Sequence, residues 1–320
     1  MTPQEVAPGI YLVPIPIPIP LKFVNCYLCR GPAGWTLVDT GFHDDLARAA
    51  WPEAFAALGI RPQEIDQILI THYHPDHLGA AGWLQQLTGA PAYLHEPELR
   101  QVELFWGQGM HAQAAALHQF FAAFGMPEET AAAIARHHIE QWQIVQPLPE
   151  LRPLPTGSRF RIGAADYEVL WLPGHSDGLS VFWDAASGIL VAGDMLLDKI
   201  TPNVSLWPDC RPNPLEDYLD SLRRVEGLGA RLALTGHRNV ITDVSARAAA
   251  IREHHGERLA RMEALCTGGA TAWEVCEQVF PPATLTIHQI RFAMSETLAH
   301  LVYMEKAGRL VRNGARFCRV

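Results

Sequence analysis

Short apolar runs alternate with helical patterns through the first third of the chain. Such runs are typical of buried strands, whereas apolar residues spaced three and four apart indicate helices. We predict strands at residues 10–13, 24–29, 35–38 and 67–71. Helices are predicted at 44–58, where Gly59 would end the helix in the left-handed conformation, and at 80–87. Because proline donates no hydrogen bond to a sheet, the Pro-Ile repeat at 14–20 is predicted as an edge or a linker.

The middle of the chain has a different pattern. Residues 97–146 are helical in pattern and rich in alanine, histidine and aromatic residues, with breaks at 107–109 and 125–127. This stretch interrupts a strand-rich pattern, so we predict a helical insertion. Further strands are predicted at 159–162, 167–171, 180–183, 189–192 and 231–234, and further helices at 215–228 and 245–265.

The C-terminal residues follow the order helix, helix, hairpin. Helices are predicted at 272–280 and 287–307, and a hairpin at 309–320 has Asn313-Gly314 at its turn. This order is typical of a small winged-helix module. We therefore predict a catalytic domain over 1–250, which contains the helical insertion, and a winged-helix-like domain over 251–320.

Composition narrows the classes of function. The net charge is −9, which disfavours nucleic-acid binding over the whole surface, although residues 306–320 hold five basic residues and no acidic one. No apolar run reaches the roughly 20 residues that span a bilayer, and the N-terminus lacks the basic segment of a signal peptide. We expect a cytoplasmic protein without membrane contact. Cys26 and Cys29 lie three apart in a strand, on opposite faces, and are predicted to be buried thiols.

Four residues that can bind metal fall within six positions, directly after the buried strand at 67–71. They are His72, His74, Asp76 and His77. In an extended segment, residues i and i+2 point the same way, so the first two histidines can hold one ion. Asp76 and His77, on the turn beyond, can hold a second ion nearby. Imidazole together with carboxylate suits zinc, iron or manganese.

Three more candidate ligands follow apolar strands that end in glycine. His175 follows VLWLPG, Asp194 follows ILVAG, and His237 follows LALTG. Glycine lets the backbone turn sharply, so that each side chain can point into a shared cleft. Asp194 is the natural bridging group, because a carboxylate can share its two oxygens between two ions.

Five segments in this order resemble the motifs of the metallo-β-lactamase superfamily. They are LVDTG (37–41), THYHPDHLG (71–79), LPGHSDG (172–178), VAGD (191–194) and TGH (235–237). The resemblance implies an α+β fold, an αββα sandwich. It further implies that His72, His74 and His175 hold one metal, that Asp76, His77 and His237 hold another, and that Asp194 bridges them. Asp39 would orient a ligand from behind. Two divalent ions are expected, with zinc first and iron or manganese as alternatives.

The domain order also resembles superfamily hydrolases with a terminal winged helix, the group that includes β-lactamase-like protein 2. We expect a hydrolase that uses a metal-bridging hydroxide on a small-molecule ester or thioester, as hydroxyacylglutathione hydrolase does, with Asp76 helping to move a proton to the leaving group. An endoribonuclease acting on single-stranded RNA is the first alternative, and the basic tail would favour it. A non-catalytic winged-helix protein that binds nucleic acid is the second. A homodimer through the hairpin is a further possibility.

Substrate contacts are harder to predict than metal ligands. Arg238 directly follows the last motif, and Lys199 and Asn203 follow Asp194 by a few residues, so all three are candidates to face the cleft. The insertion supplies aromatic residues that fit either a substrate lid or a helical core. They are Phe105, Trp106, Phe120, Phe121 and Trp142.

Overall fold

The structure is a computed structural model that describes residues 2–320. The strands are β1 (Gln4–Ala7), β2 (Ile10–Pro16), β3 (Phe23–Arg30), β4 (Trp35–Val38), β5 (Ile65–Ile70), β6 (Ala92–His95), β7 (Leu151–Leu154), β8 (Arg159–Ile162), β9 (Ala165–Trp171), β10 (Ser180–Asp184), β11 (Ile189–Gly193), β12 (Leu232–Thr235), β13 (Ala270–Thr271), β14 (Leu310–Asn313) and β15 (Arg316–Arg319). The helices are α1 (Asp45–Leu58), α2 (Pro75–Leu78), α3 (Ala81–Thr88), α4 (Glu96–Phe105), α5 (Met110–Ala123), α6 (Glu128–Glu140), α7 (Pro214–Gly227), α8 (Val244–Leu265), α9 (Ala272–Val279) and α10 (Ile287–Lys306).

The strands form two large sheets and one small one. The first sheet has the order β1-β2-β3-β4-β5-β6-β7, antiparallel as far as β4 and parallel beyond it. The second has the order β12-β11-β10-β9-β8 and is antiparallel except for the parallel pair β11–β12. The third is β13-β15-β14 near the C-terminus. Strands β1, β6, β7 and β13 were missed by the sequence pattern.

Two hydrophobic cores show how the large sheets are layered. One contains side chains from both sheets, such as Leu69 of β5 and Val191 of β11, and therefore lies between them. The other joins the outer faces of the sheets to helices, with Leu190 of β11 beside residues such as Leu222 of α7. Neighbouring strand residues point to opposite faces, so Val191 and Leu190 lie in different cores. This layering confirms the expected αββα sandwich.

The Pro-Ile repeat is the main departure from the predicted strands. Pro14 and Pro16 lie inside β2 and pair with Asn25 and Phe23 of β3, so the prediction of a linker is wrong for them. The sheet tolerates them because β1 pairs with β2 only at residues 10–12 and leaves the outer side of both prolines without a strand partner. The isoleucine between them, Ile15, is fully buried.

Two local predictions are confirmed. Helix α1 begins after Asp44, whose carboxylate accepts a hydrogen bond from the Ala47 N–H, and it ends at Gly59 in the left-handed conformation, φ 67°. Cys26 and Cys29 are buried free thiols that belong to different cores. Their side chains therefore point to opposite faces of β3.

The helical insertion and the C-terminal elements pack against each other. Helices α4 to α6 occupy the predicted insertion, and α6 contacts α10. Helix α10 is continuous, and the hairpin β14–β15 follows it as expected; a winged helix stays a prediction. In the part of the chain that the structure describes, no helix combines the length and the apolar surface that a bilayer-spanning segment requires.

Candidate metal centre

The seven predicted ligands come from strand ends that meet at one edge of the sandwich. The chain leaves β5 into the segment of His72, His74, Asp76 and His77, and it leaves β9, β11 and β12 into the other three ligands. Their donor atoms form three overlapping groups in which all atoms lie within 4.8 Å of one another. The groups are His72, His74 and His175; His72, His77 and Asp194; and Asp76, His77 and His237.

The first half of the centre contains three imidazoles. His72 Nε2 lies 2.9 Å from His74 Nδ1 and 3.2 Å from His175 Nε2. In the second half, Asp76 Oδ2 lies 3.1 Å from His237 Nε2 and 3.9 Å from His77 Nε2. Each half therefore places three donor atoms within 4.8 Å of one another.

Asp194 lies between the two halves. Its Oδ1 is 3.6 Å from His77 Nε2, and its Oδ2 is 3.6 Å from His175 Nε2 and 3.5 Å from His237 Nε2. One carboxylate thus faces histidines of both halves. This is the geometry expected of a bridging ligand.

Four of the histidines are held from behind by a second hydrogen bond. These bonds join His72 Nδ1 to Thr71 Oγ1 (3.0 Å), His77 Nδ1 to Asp39 Oδ2 (2.8 Å), His175 Nδ1 to the Asn203 carbonyl (2.7 Å) and His237 Nδ1 to the Phe23 carbonyl (2.9 Å). Each bond leaves Nε2 facing the centre, as in metal sites whose outer groups orient the ligands. Asp39 has left-handed backbone, φ 57°, and its carboxylate also accepts the Thr71 N–H.

The centre leaves polar atoms without the partners that burial demands. Two atoms in the middle of the centre, His77 Nε2 and Asp194 Oδ1, are buried and have no hydrogen-bond partner. His72 and His175 turn the same ring nitrogen towards each other at 3.2 Å. A buried polar atom without a partner is costly, and cations would satisfy all of these atoms together. The residues therefore fit bound metal.

The electrostatics of the centre suit cation binding. Burial holds the pKa of His72 and His74 well below the usual histidine value, and neighbouring histidines lower it further. Burial also lowers the pKa of His77, but the facing carboxylates outweigh it and raise that pKa. Burial raises the pKa of Asp76 and Asp194, yet the facing histidines outweigh it and hold both pKa values well below the usual range. The carboxylates are therefore ionised at neutral pH, the form that binds metal.

Two glycines let the ligand loops approach so closely. A Cβ on Gly236 would touch the Asp194 carboxylate and would lie 2.7 Å from His77 Cε1. Gly174 has φ 136°, and a Cβ there would collide with the side chain of Tyr218. No other residue type fits either position.

A cleft of about 330 Å³ opens beside the centre and includes His74, Asp76, His175, Asp194 and His237 in its wall. The rest of the wall is mainly apolar. It includes Ile19, Leu21, Phe42, Phe105, Trp106, Leu197, Ile200, Trp207 and Phe292. This size and lining are typical of small-molecule sites.

The aromatic residues of the insertion divide between the two predicted roles. Phe105 and Trp106, at the end of α4, line the cleft. Phe120 and Phe121 lie outside the lining and contribute to the hydrophobic core. The Trp142 indole donates a hydrogen bond to the Trp106 carbonyl, 2.9 Å, and supports the wall from behind.

The three predicted substrate contacts lie in different places. Lys199 is exposed and lies outside the cleft lining. Arg238 is exposed, with left-handed backbone (φ 64°), and borders a separate depression beside Phe23 and Asn25. Asn203 does line the cleft, but its side-chain amide donates to Glu296 Oε2, 2.7 Å.

Sequence reasoning missed Glu98, a buried residue of α4. Its two oxygens accept the Tyr73 N–H at 2.6 Å and the Gly178 N–H at 2.5 Å, and so join the loop of His74 to the loop of His175. Burial raises its pKa to about 7. No local pattern distinguishes it from a surface glutamate of a helix.

The pattern also gave no sign that helix α10 borders the centre. His288, Gln289, Arg291 and Phe292 line the cleft, although they follow His237, the last motif residue, by about fifty positions. Only the packing of α10 against the sandwich brings them there.

Comparisons with known proteins agree with this picture. The chain is 29% identical over 316 residues, 95% of this chain and 93% of the relative, to the "Probable metallo-hydrolase YqjP" of Bacillus subtilis (strain 168). A solved structure, a metallo-beta-lactamase family protein from Thermus thermophilus, is 41% identical with a TM-score of 0.89; the alignment covers 99% of this chain and 100% of that one.

More distant relatives carry more specific names. An "Atrochrysone carboxyl ACP thioesterase" of Aspergillus fumigatus is 25% identical over 72% of this chain and 55% of its own length. A "Hydroxyacylglutathione hydrolase" of Cereibacter sphaeroides is 31% identical over 46% of this chain and 41% of its own length. A structure described as "in a di-iron-bound form" is 28% identical with a TM-score of 0.50, covering 73% of this chain and 97% of that one.

Family profiles cover both parts of the chain. The profile of the metallo-beta-lactamase superfamily matches residues 19–237, and that of the metallo-beta-lactamase-like C-terminal domain matches residues 259–317. The first match spans more than half of the chain and includes all seven residues of the centre. The chain therefore belongs to the metallo-beta-lactamase superfamily.

Proposed function

We propose that this member of the superfamily is a dinuclear metal-dependent hydrolase of small-molecule thioesters or esters. The observation that carries the proposal is the pairing of two three-donor groups across one shared carboxylate, Asp194, at the floor of an apolar cleft. A metallo-hydrolase as such follows from family membership together with the metal-binding donor set. The number of metals and the substrate class are the new parts of the proposal.

The residues of the centre divide into two ligand sets. His72, His74 and His175 would hold one divalent ion, and Asp76, His77 and His237 the other, with Asp194 shared. Zinc suits this mixture of imidazole and carboxylate, and iron or manganese suits it as well. A relative solved in a di-iron-bound form supports a count of two. Two such ions, when bound, lower the pKa of a water towards neutrality and stabilise negative charge on oxygen.

The protein's own groups provide positioning and proton transfer. Asp76 is ionised and lines the cleft, so its carboxylate can carry a proton to the leaving group. Glu98 holds the loops of His74 and His175 in register through their backbone N–H groups. Phe105 and Trp106 close one side of the cleft and exclude water from the scissile bond.

The cleft favours an acyl substrate over RNA. Its wall is mainly apolar, and two relatives bear the names of a thioesterase and of a hydrolase of hydroxyacylglutathione. The basic tail that would favour RNA is largely neutralised within the fold. Its arginines form the ion pairs Arg309–Glu263, Arg312–Glu305, Arg316–Glu274 and Arg319–Glu263.

A turnover screen of the metal-loaded protein tests the proposal. We expect hydrolysis of acyl-thioester and ester reporters, and about two metal ions per chain by elemental analysis. Lactone and phosphodiester reporters serve as matched alternatives under the same conditions. Cleavage of phosphodiesters alone, or a protein that is fully active with one ion, would contradict the proposal.

A further inference from the structure

Arg291 is a buried cation in the wall of the cleft. It lies in the first turns of α10, its relative exposure is 6%, and it lines the cleft together with the ligands of the metal centre. Across residues 2–320, no carboxylate pairs with its guanidinium, and its Nε is buried without a hydrogen-bond partner. Buried arginines are usually paired, because removing an unpaired charge from water is costly.

Nearby arginines show what a purely structural role looks like in this fold. Arg258 forms an ion pair with the buried Glu296, and Arg247 donates hydrogen bonds to the carbonyls of Leu197 and Ile200. Their charges are satisfied by groups of the protein itself. Arg291 is held in place without being satisfied in this way.

Two aromatic rings fix the position of the guanidinium. Its Cζ lies 4.8 Å from the ring centre of Phe292 and 5.4 Å from that of Trp207, at the distance of cation–π contacts. Burial lowers the pKa of Arg291 to about 10, so the group remains charged at neutral pH. Such contacts hold the planar guanidinium in one orientation and leave the N–H groups along its edge available to a ligand.

The other ionisable groups around Arg291 do not neutralise it. Burial lowers the pKa of His138 and His288 to about 3, and the charge of Arg291 contributes, so both are neutral. Burial raises the pKa of Tyr73 well above the usual value, so the phenol near Arg291 is uncharged as well. Asp76 lines the same cleft, but its carboxylate faces His237 and His77. Within residues 2–320, the cleft therefore offers one positive side chain outside the metal centre.

We infer that Arg291 binds an anionic group, a carboxylate or a phosphate, carried by the acyl substrate whose scissile bond lies at the metal centre. This inference rests on the proposed function, because it places the reacting bond and the charged group in the same cleft. A guanidinium fork binds either anion through two parallel hydrogen bonds. The apolar wall would contact the part of the substrate between the scissile bond and that charge.

Matched pairs of substrates separate the two sources of negative charge. Glutaryl and butanoyl thioesters of N-acetylcysteamine differ by a carboxylate on the acyl part. Butanoyl thioesters of 4′-phosphopantetheine and of pantetheine differ by a phosphate on the thiol part. We expect the wild-type protein to prefer the charged member of one pair by about 10- to 100-fold in kcat/KM, the value of a charge-assisted hydrogen bond.

The variant Arg291→Gln should lose that preference, and the loss should lie in KM for the charged thioester of the preferred pair. Arg291→Lys keeps the charge without the fork, so it should restore part of the preference. Arg100→Gln removes the same charge from an exposed position of α4, where Arg100 pairs with Asp209, and should keep the full preference. An equal rate for both members of both pairs, or a preference that survives in Arg291→Gln, would overturn the inference.

A binding measurement tests the anion site independently of whether the protein hydrolyses thioesters. Calorimetry compares glutarate with butanoate, and phosphopantetheine with pantetheine, on metal-loaded protein. Arg291→Gln should weaken the charged ligand of the preferred pair by about 10- to 100-fold and leave the neutral one unchanged. If the protein hydrolyses no thioester but Arg291→Gln weakens binding of the charged ligand, the proposed reaction is contradicted and the anion site is supported. If the protein hydrolyses thioesters but Arg291→Gln binds the charged ligand as well as the wild type does, the reaction is supported and the anion site is contradicted.

Discussion

Residues 2–320 contain two buried histidine clusters that differ in how many of their polar atoms already have hydrogen-bond partners. One is the centre at the strand ends. The other joins His255 of α8 to Glu296 and His300 of α10, and its donor atoms also lie within 4.8 Å of one another. Residue type and proximity alone would class both as metal sites.

The hydrogen bonds separate them. In the helical cluster, Glu296 is held by Arg258 and by the Asn203 amide, His300 Nδ1 donates to the Glu296 carbonyl at 2.7 Å, and the two imidazoles bond to each other at 3.0 Å. Only His255 Nε2 is buried there without a hydrogen-bond partner, and the other polar atoms of these three side chains are bonded within the protein. In the strand-end centre, the outer nitrogens are bonded and the inner atoms face one another. Several unpartnered donor atoms that face one another therefore indicate a metal site better than closeness alone.

Removing one ligand from each cluster is the strongest test of this contrast. Asp194→Ala should lower metal content and reduce kcat/KM by about 10³-fold or more, because it removes the carboxylate that we propose is shared by two ions. His300→Asn, a comparable change in the helical cluster, should leave the metal content of the folded protein unchanged. Elemental analysis of each purified variant measures this. Loss of metal from His300→Asn would mean that the helical cluster also binds an ion.

A smaller effect is expected from the group behind a ligand. Asp39→Asn keeps an acceptor for the Thr71 N–H and tolerates the left-handed backbone, but it removes the negative charge beside His77. Metal affinity should fall by about 10- to 100-fold, as it does when outer partners are lost. Competition with a chelator measures the change. Unaltered affinity would show that His77 needs no orientation by Asp39.

The smallest effect concerns acid stability. Burial keeps the pKa of His300 low, and burial together with His300 and Arg258 keeps that of His255 low, so both stay neutral when folded. Below pH 6.5 the unfolded chain binds protons that the folded chain cannot, and stability falls as pH decreases. His300→Asn should reduce this slope by about 1.4 kcal/mol per pH unit between pH 6 and 4. Urea unfolding at several pH values measures it; an identical slope would show that His300 is charged in the fold.

Local patterns predicted which seven side chains come together at this edge of the sandwich. Each of the seven residues lies within seven positions of the end of an apolar strand, with Asp76 and His77 on the short helix α2, so strand, turn and ligand are encoded close together. The structure brings all seven together at one edge of the sandwich. Helix α1 and its ends at Asp44 and Gly59 were likewise encoded locally.

The substrate side could not be predicted in this way. Arg238 and Lys199 were chosen for their nearness to motif residues, but a left-handed turn takes Arg238 to another surface and Lys199 remains exposed. Arg291 and Glu98 reach the site only because α10 and α4 pack onto the sandwich. Such packing depends on contacts between distant segments, and a single sequence carries no direct sign of them.

The continuity of α10 has a consequence for how substrate range is inherited in proteins built this way. One end of the helix borders the cleft, and the other packs beside the terminal hairpin. Exchanging the C-terminal region with that of a relative would therefore exchange part of the recognition surface along with it. Such a chimera would keep the seven strand-end residues and most of the cleft wall from one parent, and would take the four lining residues of α10 from the other.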